Sequence, residues 1–598
     1  MLQNVDWLIV SLFFLIVISI GWVASLRAGK DTTQFFLGGR GMPWWLLGIS
    51  MVACTFSADT PNLVTGMVRE SGVARNWAWW AFLITGMVTV FIYARLWRRS
   101  NIMTDLEYYE LRYSGRAASF LRGFRAIYLG IFFNTLIMGT VTLAAIKIGG
   151  VMLGIEPWVA VVGGSLVVVI YASLGGLRGV IWADFFQYSI AMFGAVLAAV
   201  VAVRQPEVGG MSGLLGSEAI ADRMAMFPDM TQPSVWIPLL LIPIAVQWWS
   251  VWYPGAEPGG GGYIAQRMLS AKDEKNAIGA TLLFNFAHYA LRPWPWIIVA
   301  LASLVIYPDL DSIRDAFPSI SETYLKDDIA YPVMLSKLNP GWMGLVTASL
   351  IAAYMSTIGT HLNWGSSYIV NDFYKRFVRP GAPEKELVTA GRVTTVVLMV
   401  IAGLLSLFFL TDATQAFNVL LLSGAGTGAI YLLRWFWWRI NAFTEIAAMV
   451  VATITAVVLV FFIDDSRIGN EIFDPFTAKL LIAVSVTTLT WIITTLVTAP
   501  EDKATLIRFY KLTRPGGPGW KKIRDLAVSE SPGEITPEER WNMPLQLLCV
   551  FIGTIVIYSA LFSIGSLIYK EYLNALLLAI TAAGGTLFLF RAFNKISS

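Results

Sequence analysis

Of 598 residues, 56% are hydrophobic and only 14% charged, well short of the ~25% charged residues of a soluble domain. The deficit runs from end to end and the mean hydropathy is +0.65, so the chain belongs in a bilayer rather than in water. The net charge of +4 is small, and the two cysteines, Cys54 and Cys549, both lie inside apolar runs and define no disulfide framework.

Apolar runs recur along the chain, each near the ~20 residues needed to cross a membrane. In lipid the backbone must satisfy its own hydrogen bonds, so such runs read as spanning helices. A transmembrane β-barrel would show short alternating segments instead. The first run, residues 7–24, has no clear small-residue cleavage site and reads as a retained helix. Crossings are predicted at 7–27, 43–68, 77–97, 126–149, 158–174, 180–203, 235–254, 277–307, 341–370, 388–410, 416–437, 440–463, 477–498, 545–567 and 573–592, about 15 in all. Their connections alternate in charge. One set carries Arg95, Arg98, Arg99, Arg112, Arg116, Arg122, Arg125, Arg267, Lys272, Lys275, Lys375, Arg376 and Arg379. The other carries Asp309, Asp311, Asp315, Asp327, Asp328, Asp464, Asp465, Glu471 and Asp474. The positive-inside rule puts the basic set in the cytoplasm, with the N-terminus outside and the C-terminus inside. The same rule explains the basic residues without nucleic acid. Residues 500–544, basic and rich in Pro and Gly, read as a cytoplasmic loop with a surface helix.

Two runs are broken in the middle. Residues 51–66, MVACTFSADTPNLVTG, put small and polar residues at the centre of a span, and Pro61 lacks a backbone donor. Residues 248–272, WWSVWYPGAEPGGGGYIAQRMLSAK, contain Pro254, Pro258 and four consecutive glycines, Gly259 to Gly262, which cannot hold a regular helix. Unwound backbone at membrane depth is tolerated only where it lines a cavity or is buried in protein. Interruptions in corresponding spans point to a transporter's binding site. These two lie five spans apart, so an inverted repeat of five plus five helices makes each the first helix of its half. A kinked helix followed by a loop is the plainer alternative, most applicable to the glycine run. In the first break Asp59 argues against it, because a carboxylate within a span costs roughly 2.5–3.5 kcal/mol.

Six stretches, in chain order, carry a family resemblance. They are FFLGGRGMPWWLLGISMVACTFSAD (35–59), TDLEYYELRY (104–113), GGLRGVIWADFFQ (175–187), YIAQRMLSAKDEKNA (263–277), AAYMSTIGTHLNWGSSYIVNDFYKRF (352–377) and RWFWWRINA (434–442). Together they resemble the sodium:solute symporter family, which includes sodium–glucose, proline and sialic acid transporters. The resemblance implies an all-α polytopic membrane protein, a LeuT-type five-plus-five inverted repeat with extra terminal helices. Residues 1–40 would be an added N-terminal helix and cytoplasmic loop, 41–205 the first repeat, 233–440 the second, and 441–598 added C-terminal helices with a cytoplasmic loop at 499–544. The activity implied is import of a small organic solute by alternating access, coupled to Na+, across the plasma (inner) membrane.

Carried over by motif, the sodium ligands would be the carbonyls of Ala53, Phe56 and Ala353 and the hydroxyls of Ser356 and Thr357, with Asp184 supplying nearby negative charge. Positions 353, 356 and 357 share one helix face. Sodium, a hard cation, prefers oxygen donors, and a broken helix frees carbonyls that an intact one would use internally. Solute candidates lie against both breaks and the facing helices: Ser57, Asp59 and Thr60, then Trp80, Asn134, Gln247, Trp248 and Tyr253, the last also the inner gate implied by the resemblance. Ordinary packing is the alternative for each. Asp59 has a further one, as a cap for the second half-helix. Sugar-carrying relatives have a glutamine where this chain has Thr60, and polar side chains where it has Leu420–Leu422. An amino acid, an organic acid or a glycoside therefore stands beside a sugar as the solute. Arg292, in LRPWPW, either meets an anionic solute or Asp59, or snorkels or pairs structurally. His288 and His361 show no metal-ligand spacing and read as structural.

Three other classes compete. One is a proton-coupled carrier working through Asp59 or Asp184. A second is a non-transporting sensor that kept the fold, for which no signalling domain is visible. The third is an intramembrane enzyme, against which the sequence offers no HExxH, paired-Cys metal motif, P-loop or nucleophile elbow.

Overall fold

The computed structural model describes residues 2–28, 30–251, 256–318, 320–410, 421–530 and 542–596. Among the described residues the regular structure is helical, with one isolated backbone bridge, Met42 to Ala271. In chain order the principal helices are α1 (Asn4–Ala28), α2 (Trp44–Cys54), α3 (Thr60–Ser71), α4 (Val73–Ser100), α5 (Gly115–Ile148), α6 (Pro157–Val203), α7 (Pro233–Ser250), α8 (Gly262–Ser270), α9 (Glu274–Ile306), α10 (Trp342–Val378), α11 (Glu384–Phe408), α12 (Gly428–Leu433), α13 (Ala442–Phe461), α14 (Pro475–Val497), α15 (Lys503–Thr513), α16 (Lys521–Glu530), α17 (Met543–Ile568) and α18 (Tyr572–Ile596).

Twelve helices among the described residues are long and apolar enough to cross a membrane. Three features account for the difference from the predicted crossings. The 47 residues of α6 would measure about 70 Å at 1.5 Å per residue, twice a bilayer's hydrocarbon core. Gly176, at φ 53° and ψ −159°, turns the chain there, so α6 holds two crossings. The predicted 43–68 crossing is divided into α2 and α3, each too short to count alone. The predicted 416–437 crossing lies partly outside the described residues and retains α12.

The two halves of α6 pack on α10, and α1 lies across both. The α17–α18 hairpin covers α4 and α9, and α13 pairs with α14. Large apolar side chains point outward on the peripheral helices, among them Leu8, Phe408, Phe461, Leu489 and Leu573. Exposed apolar surface on this scale requires a lipid or protein cover.

The two ends of the bundle differ in charge. At the acidic end Arg69 of α3 pairs with Asp327 at 2.8 Å and Lys147 of α5 with Asp328 at 3.2 Å. Asp6 of α1 accepts the amides of Gly341 (2.6 Å) and Gly344 (2.7 Å), setting a carboxylate at the start of α10, where the helix dipole favours it. At the basic end Arg122 binds Asp372 (2.7 Å) and Glu110 (2.8 Å), and Arg376 also binds Glu110 (2.9 Å). Burial alone would raise the Glu110 carboxyl, but hydrogen bonds from Arg376, Ser119 and Arg122 outweigh it and bring it down to about 2. The predicted loop with one surface helix is here two helices, α15 and α16, docked on this end through the buried Phe509 and Trp520.

Gly176 offers a direct check on α6. A Cβ there would stand 2.6 Å from the Phe35 carbonyl oxygen, on a backbone in the left-handed region. Gly176→Ala is expected to cost about 1–3 kcal/mol, read as a lower Tm of the detergent-solubilised protein. An unchanged Tm would contradict this packing.

Candidate functional site

α2 stops at Cys54, and α3 starts at Thr60 with Pro61 in its first turn, where the missing N–H has no intrahelical acceptor to lose. Asp59 occupies the capping position but makes no side-chain cap hydrogen bond, so the capping alternative for it is corrected. Between the half-helices the chain turns locally: the Phe56 amide donates to Ala53 O (3.1 Å) and the Thr60 amide to Ser57 O (3.2 Å). The carbonyls of Cys54 and Phe56 are left facing α10. Thr357 Oγ1 stands 3.3 Å from the first and 3.5 Å from the second. Ala353, Ser356 and Thr357 are all buried on α10, at 2–3% exposure.

Behind this contact lies a second layer. Asp184, from the second half of α6, is fully buried and accepts hydrogen bonds from Ser356 Oγ (2.6 Å) and Ser50 Oγ (2.5 Å). Arg267 of α8 brings its Nη2 to 3.6 Å from Asp184 Oδ2. The same Nη2 donates to Thr360 Oγ1 (2.7 Å), and Nε donates to Ser50 Oγ (3.2 Å). One polar network therefore ties α2, α6, α8 and α10 together. A buried ion pair repays its desolvation only when further hydrogen bonds satisfy both partners, and here the two hydroxyls on Asp184 do that.

The residues predicted for the solute divide into groups. Ser57, Asp59 and Thr60 lie on the first break, and Asp59 Oδ1 is buried with no hydrogen-bond partner among the described residues. Gln247 spends its amide on Ala78 O (2.9 Å), and the Trp248 carbonyl accepts from Thr85 Oγ1 (2.5 Å), so this end of α7 packs on α4. The Trp80 ring lies 5.8 Å from Trp77 and 5.9 Å from Phe562 of α17. Asn134 is bonded to α10, its Nδ2 donating to His361 O (2.8 Å) and its Oδ1 2.7 Å from His361 Nδ1. The Asn134 amide is thus satisfied within the helix packing, whereas the Trp80 ring is packed but its buried Nε1 has no hydrogen-bond partner among the described residues. Tyr253 lies outside the described residues, as does Leu420. Leu421 and Leu422 are buried in an apolar cluster with Ile242, Val251 and Leu480.

Arg292 does not snorkel. It is 2% exposed and donates to Thr55 Oγ1 (3.2 Å), beside the Val52 carbonyl, at the end of α2. His288 joins the same corner, with Nδ1 3.0 Å from Thr55 Oγ1 and Nε2 3.2 Å from Arg292 Nη2. Sequence reasoning missed the roles of Ser50, Thr55, His288 and Arg267 and the Cys54 carbonyl. Arg267, counted by the charge pattern among the basic residues of the connections, is instead fully buried beside Asp184, because a guanidinium with a carboxylate and hydroxyls to bond can be buried. Beside the second break a cavity of about 20 Å³ is lined by Thr85, Thr89, Glu257 and Asn285, room for one water. Asn285 Oδ1 has no protein partner there among the described residues.

A membrane bundle with two interrupted spans, the first opening bare carbonyls toward a hydroxyl-bearing helix, is the architecture of a secondary carrier. The profile of the sodium:solute symporter family matches residues 35–452, and the chain belongs to that family. A sodium/glucose cotransporter of Vibrio parahaemolyticus is 27% identical over 480 residues, 77% of this chain and 86% of its own. Sodium/glucose cotransporter 1 of Oryctolagus cuniculus is 26% identical over 472 residues, 73% of this chain and 69% of its own. The structure of a Na+-coupled sialic acid symporter superposes with a TM-score of 0.68 at 22% identity, over 84% of this chain and 99% of that one, which gives the LeuT-type fold. The protein is a multi-pass membrane protein, and its activity is sodium-coupled symport of a solute.

The Asp184–Arg267 pair makes the network testable. Arg267→Gln leaves a buried carboxylate short of its counter-charge and is expected to cost about 3–5 kcal/mol. Adding Asp184→Asn should recover part of that loss, measured as Tm in detergent. A double variant no more stable than Arg267→Gln alone would rule out the pairing.

Proposed function

We propose that sodium binds between the first break and α10, held by the carbonyls of Ala53, Phe56 and Ala353 and the hydroxyls of Ser356 and Thr357, with Asp184 beside it. The observation that carries this reading is the approach of Thr357 Oγ1 to the Cys54 and Phe56 carbonyls. Two helices that must share an ion already meet through its oxygen donors, and the geometry adds Cys54 O to the candidates. Neutral oxygens suit an ion that must also leave. Asp184, held by Ser50 and Arg267, supplies charge without closing the site.

Ser57, Asp59 and Thr60, together with Trp80, Gln247, Trp248 and Tyr253, form the solute site of this proposal; Asn134, whose amide is spent on His361, is left out of it. The solute is a small polar organic molecule. Relatives named as sodium/glucose and sodium/myo-inositol cotransporters support that class. Thr60 in place of glutamine, and the inward-packed Leu421 and Leu422, weigh against the sugar contacts of those relatives. Residues 41–205 and 233–440 act as the two repeats. The basic end faces the cytoplasm by the positive-inside rule, which sets the N-terminus outside and the C-terminus inside at the plasma membrane. Sodium and solute enter from outside, the bundle rocks, and sodium leaves into the cytoplasm. One charge crossing ~100 mV gains about 2.3 kcal/mol, and a tenfold sodium gradient about 1.4 kcal/mol. Together they support several-hundred-fold accumulation of a neutral solute.

Two measurements test the reading. A thermal-shift screen of sugars, amino acids and organic acids is expected to find a solute that stabilises the protein in sodium and not in potassium. In proteoliposomes, Ser356→Ala with Thr357→Ala should abolish sodium-stimulated uptake of that solute. Uptake in the double variant with the wild-type sodium dependence would refute the ligand assignment.

A further inference from the structure

The second break is held from the basic end by aromatic contacts that reach it in steps. Its glycines lie directly on α4. Trp97 Nε1 donates to the Gly259 carbonyl at 2.8 Å, and Gly259 and Gly260 have φ of +80° and +82°. A Cβ on Gly259 would stand 3.2 Å from the Tyr93 ring, and one on Gly260 2.7 Å from Met268 Cε. Tyr93 and Trp97 rest in turn on the last turn of α12 and the chain just after it. Tyr93 Oη donates to Leu432 O at 2.8 Å, and the Trp97 ring lies 5.0 Å from that of Trp435.

The α15–α16 linker grips that same stretch. Trp520 Nε1 donates to the Trp435 carbonyl at 2.7 Å, and the Trp438 amide to Gly519 O at 3.2 Å. The Phe509 ring stands 5.7 Å from Trp435 and 5.4 Å from Trp520. Arg112, from the 104–113 motif, lies 4.8 Å over the Trp520 ring and donates to the carbonyls of Arg434, Trp437 and Trp438. Trp97, Trp435 and Trp520 are all fully buried. A connection between two peripheral helices needs none of this. Loops normally run over the surface and carry exposed polar residues, whereas this one drives a tryptophan beneath the end of the transport bundle.

We propose that residues 503–520 are a strap over the inner gate. Trp520, Phe509 and Arg112 are positioning residues that act through Trp435 and Trp97 on the glycine run, and so set how readily the carrier opens to the cytoplasm. This rests on the carrier reading above. Gly259 and Gly260 are the part of the second break that can change conformation most freely. Their outward support is α4, and the support of α4 at this level is the segment that the strap clamps. Opening toward the cytoplasm separates these layers, so the strength of the clamp enters the gating equilibrium.

The test uses the full-length protein with Cys549→Ser, leaving the buried Cys54, at the end of α2, as the single thiol. The rate of Cys54 modification by the permanently charged, membrane-impermeant methanethiosulfonate-ethyltrimethylammonium in inside-out vesicles reports opening to the cytoplasm. In Gly519→Ala the added Cβ would stand 2.0 Å from the Phe436 carbonyl oxygen, forcing the strap away. Labelling is expected to quicken at least fivefold. Trp520→Phe, which keeps a ring and loses the N–H donor, should quicken it about twofold. In both variants sodium should still slow labelling. Rates within 1.5-fold of the parent in both, whether or not Tm falls, would overturn the proposal and leave the strap a purely structural brace. Should Gly519→Ala fail to reach the membrane, the Trp520→Phe rate decides alone. The carrier reading is judged separately, by whether sodium slows Cys54 labelling in the parent; a parent indifferent to sodium would count against that reading and not against the strap.

Discussion

The gap between Cys54 and Thr60 leaves the carbonyls of Cys54 and Phe56 facing α10, while Ala53 O and Ser57 O accept amides of the local turns. The nearest donor is the Thr357 hydroxyl of α10. Much of the surrounding architecture follows from keeping that gap open and facing α10. Pro61 starts α3 cleanly, Arg292 and His288 hold Thr55 at the end of α2, and Arg69 anchors the far end of α3 to Asp327. An unbroken helix would be cheaper by several hydrogen bonds, each worth about 0.5–1.5 kcal/mol net, so the break persists only because the surrounding contacts fix it.

The network around Asp184 converts that local feature into a property of the whole bundle. Ser50, Asp184, Arg267 and Ser356 come from four different elements, and each is satisfied by the others. Movement of α8, the far half of the second broken helix, cannot be independent of α2 and α10 while Arg267 bridges them. Coupling between an ion site and a conformational change requires such a shared element. The glycine run differs in kind. Its backbone adopts left-handed conformations under the rings of α4, a shape and a close approach that favour glycine.

The sequence was most informative where physics leaves few options. Apolar length fixed the crossings, and Pro61 and the run Gly259–Gly262 marked both breaks. Spacing put Ala353, Ser356 and Thr357 on one face; the structure sets Thr357 against the first break and Ser356 against Asp184. Legibility failed where a side chain had two equally good environments. Asn134 lies on α5, packed against α10, but an amide can bond His361 as easily as a solute, and pattern alone does not choose. The cap expected of Asp59 was not made, since its backbone sits at φ −80° and ψ −22°, away from the extended conformation usual for a capping residue. The 500–544 region was read from its Pro, Gly and charge, which hid the packing of Phe509 and Trp520 because a long-range aromatic contact leaves no local periodicity.

What unites these observations is the proposal that an ion is held between two helices by oxygens that a broken span can offer. Equilibrium binding of 22Na+ to the purified protein, measured by scintillation proximity without any solute, addresses this most directly. Saturable binding in the wild type, weakened at least tenfold in Thr357→Ala, is the expected result. Undiminished 22Na+ binding in Thr357→Ala would contradict the account, because the ion would then sit elsewhere.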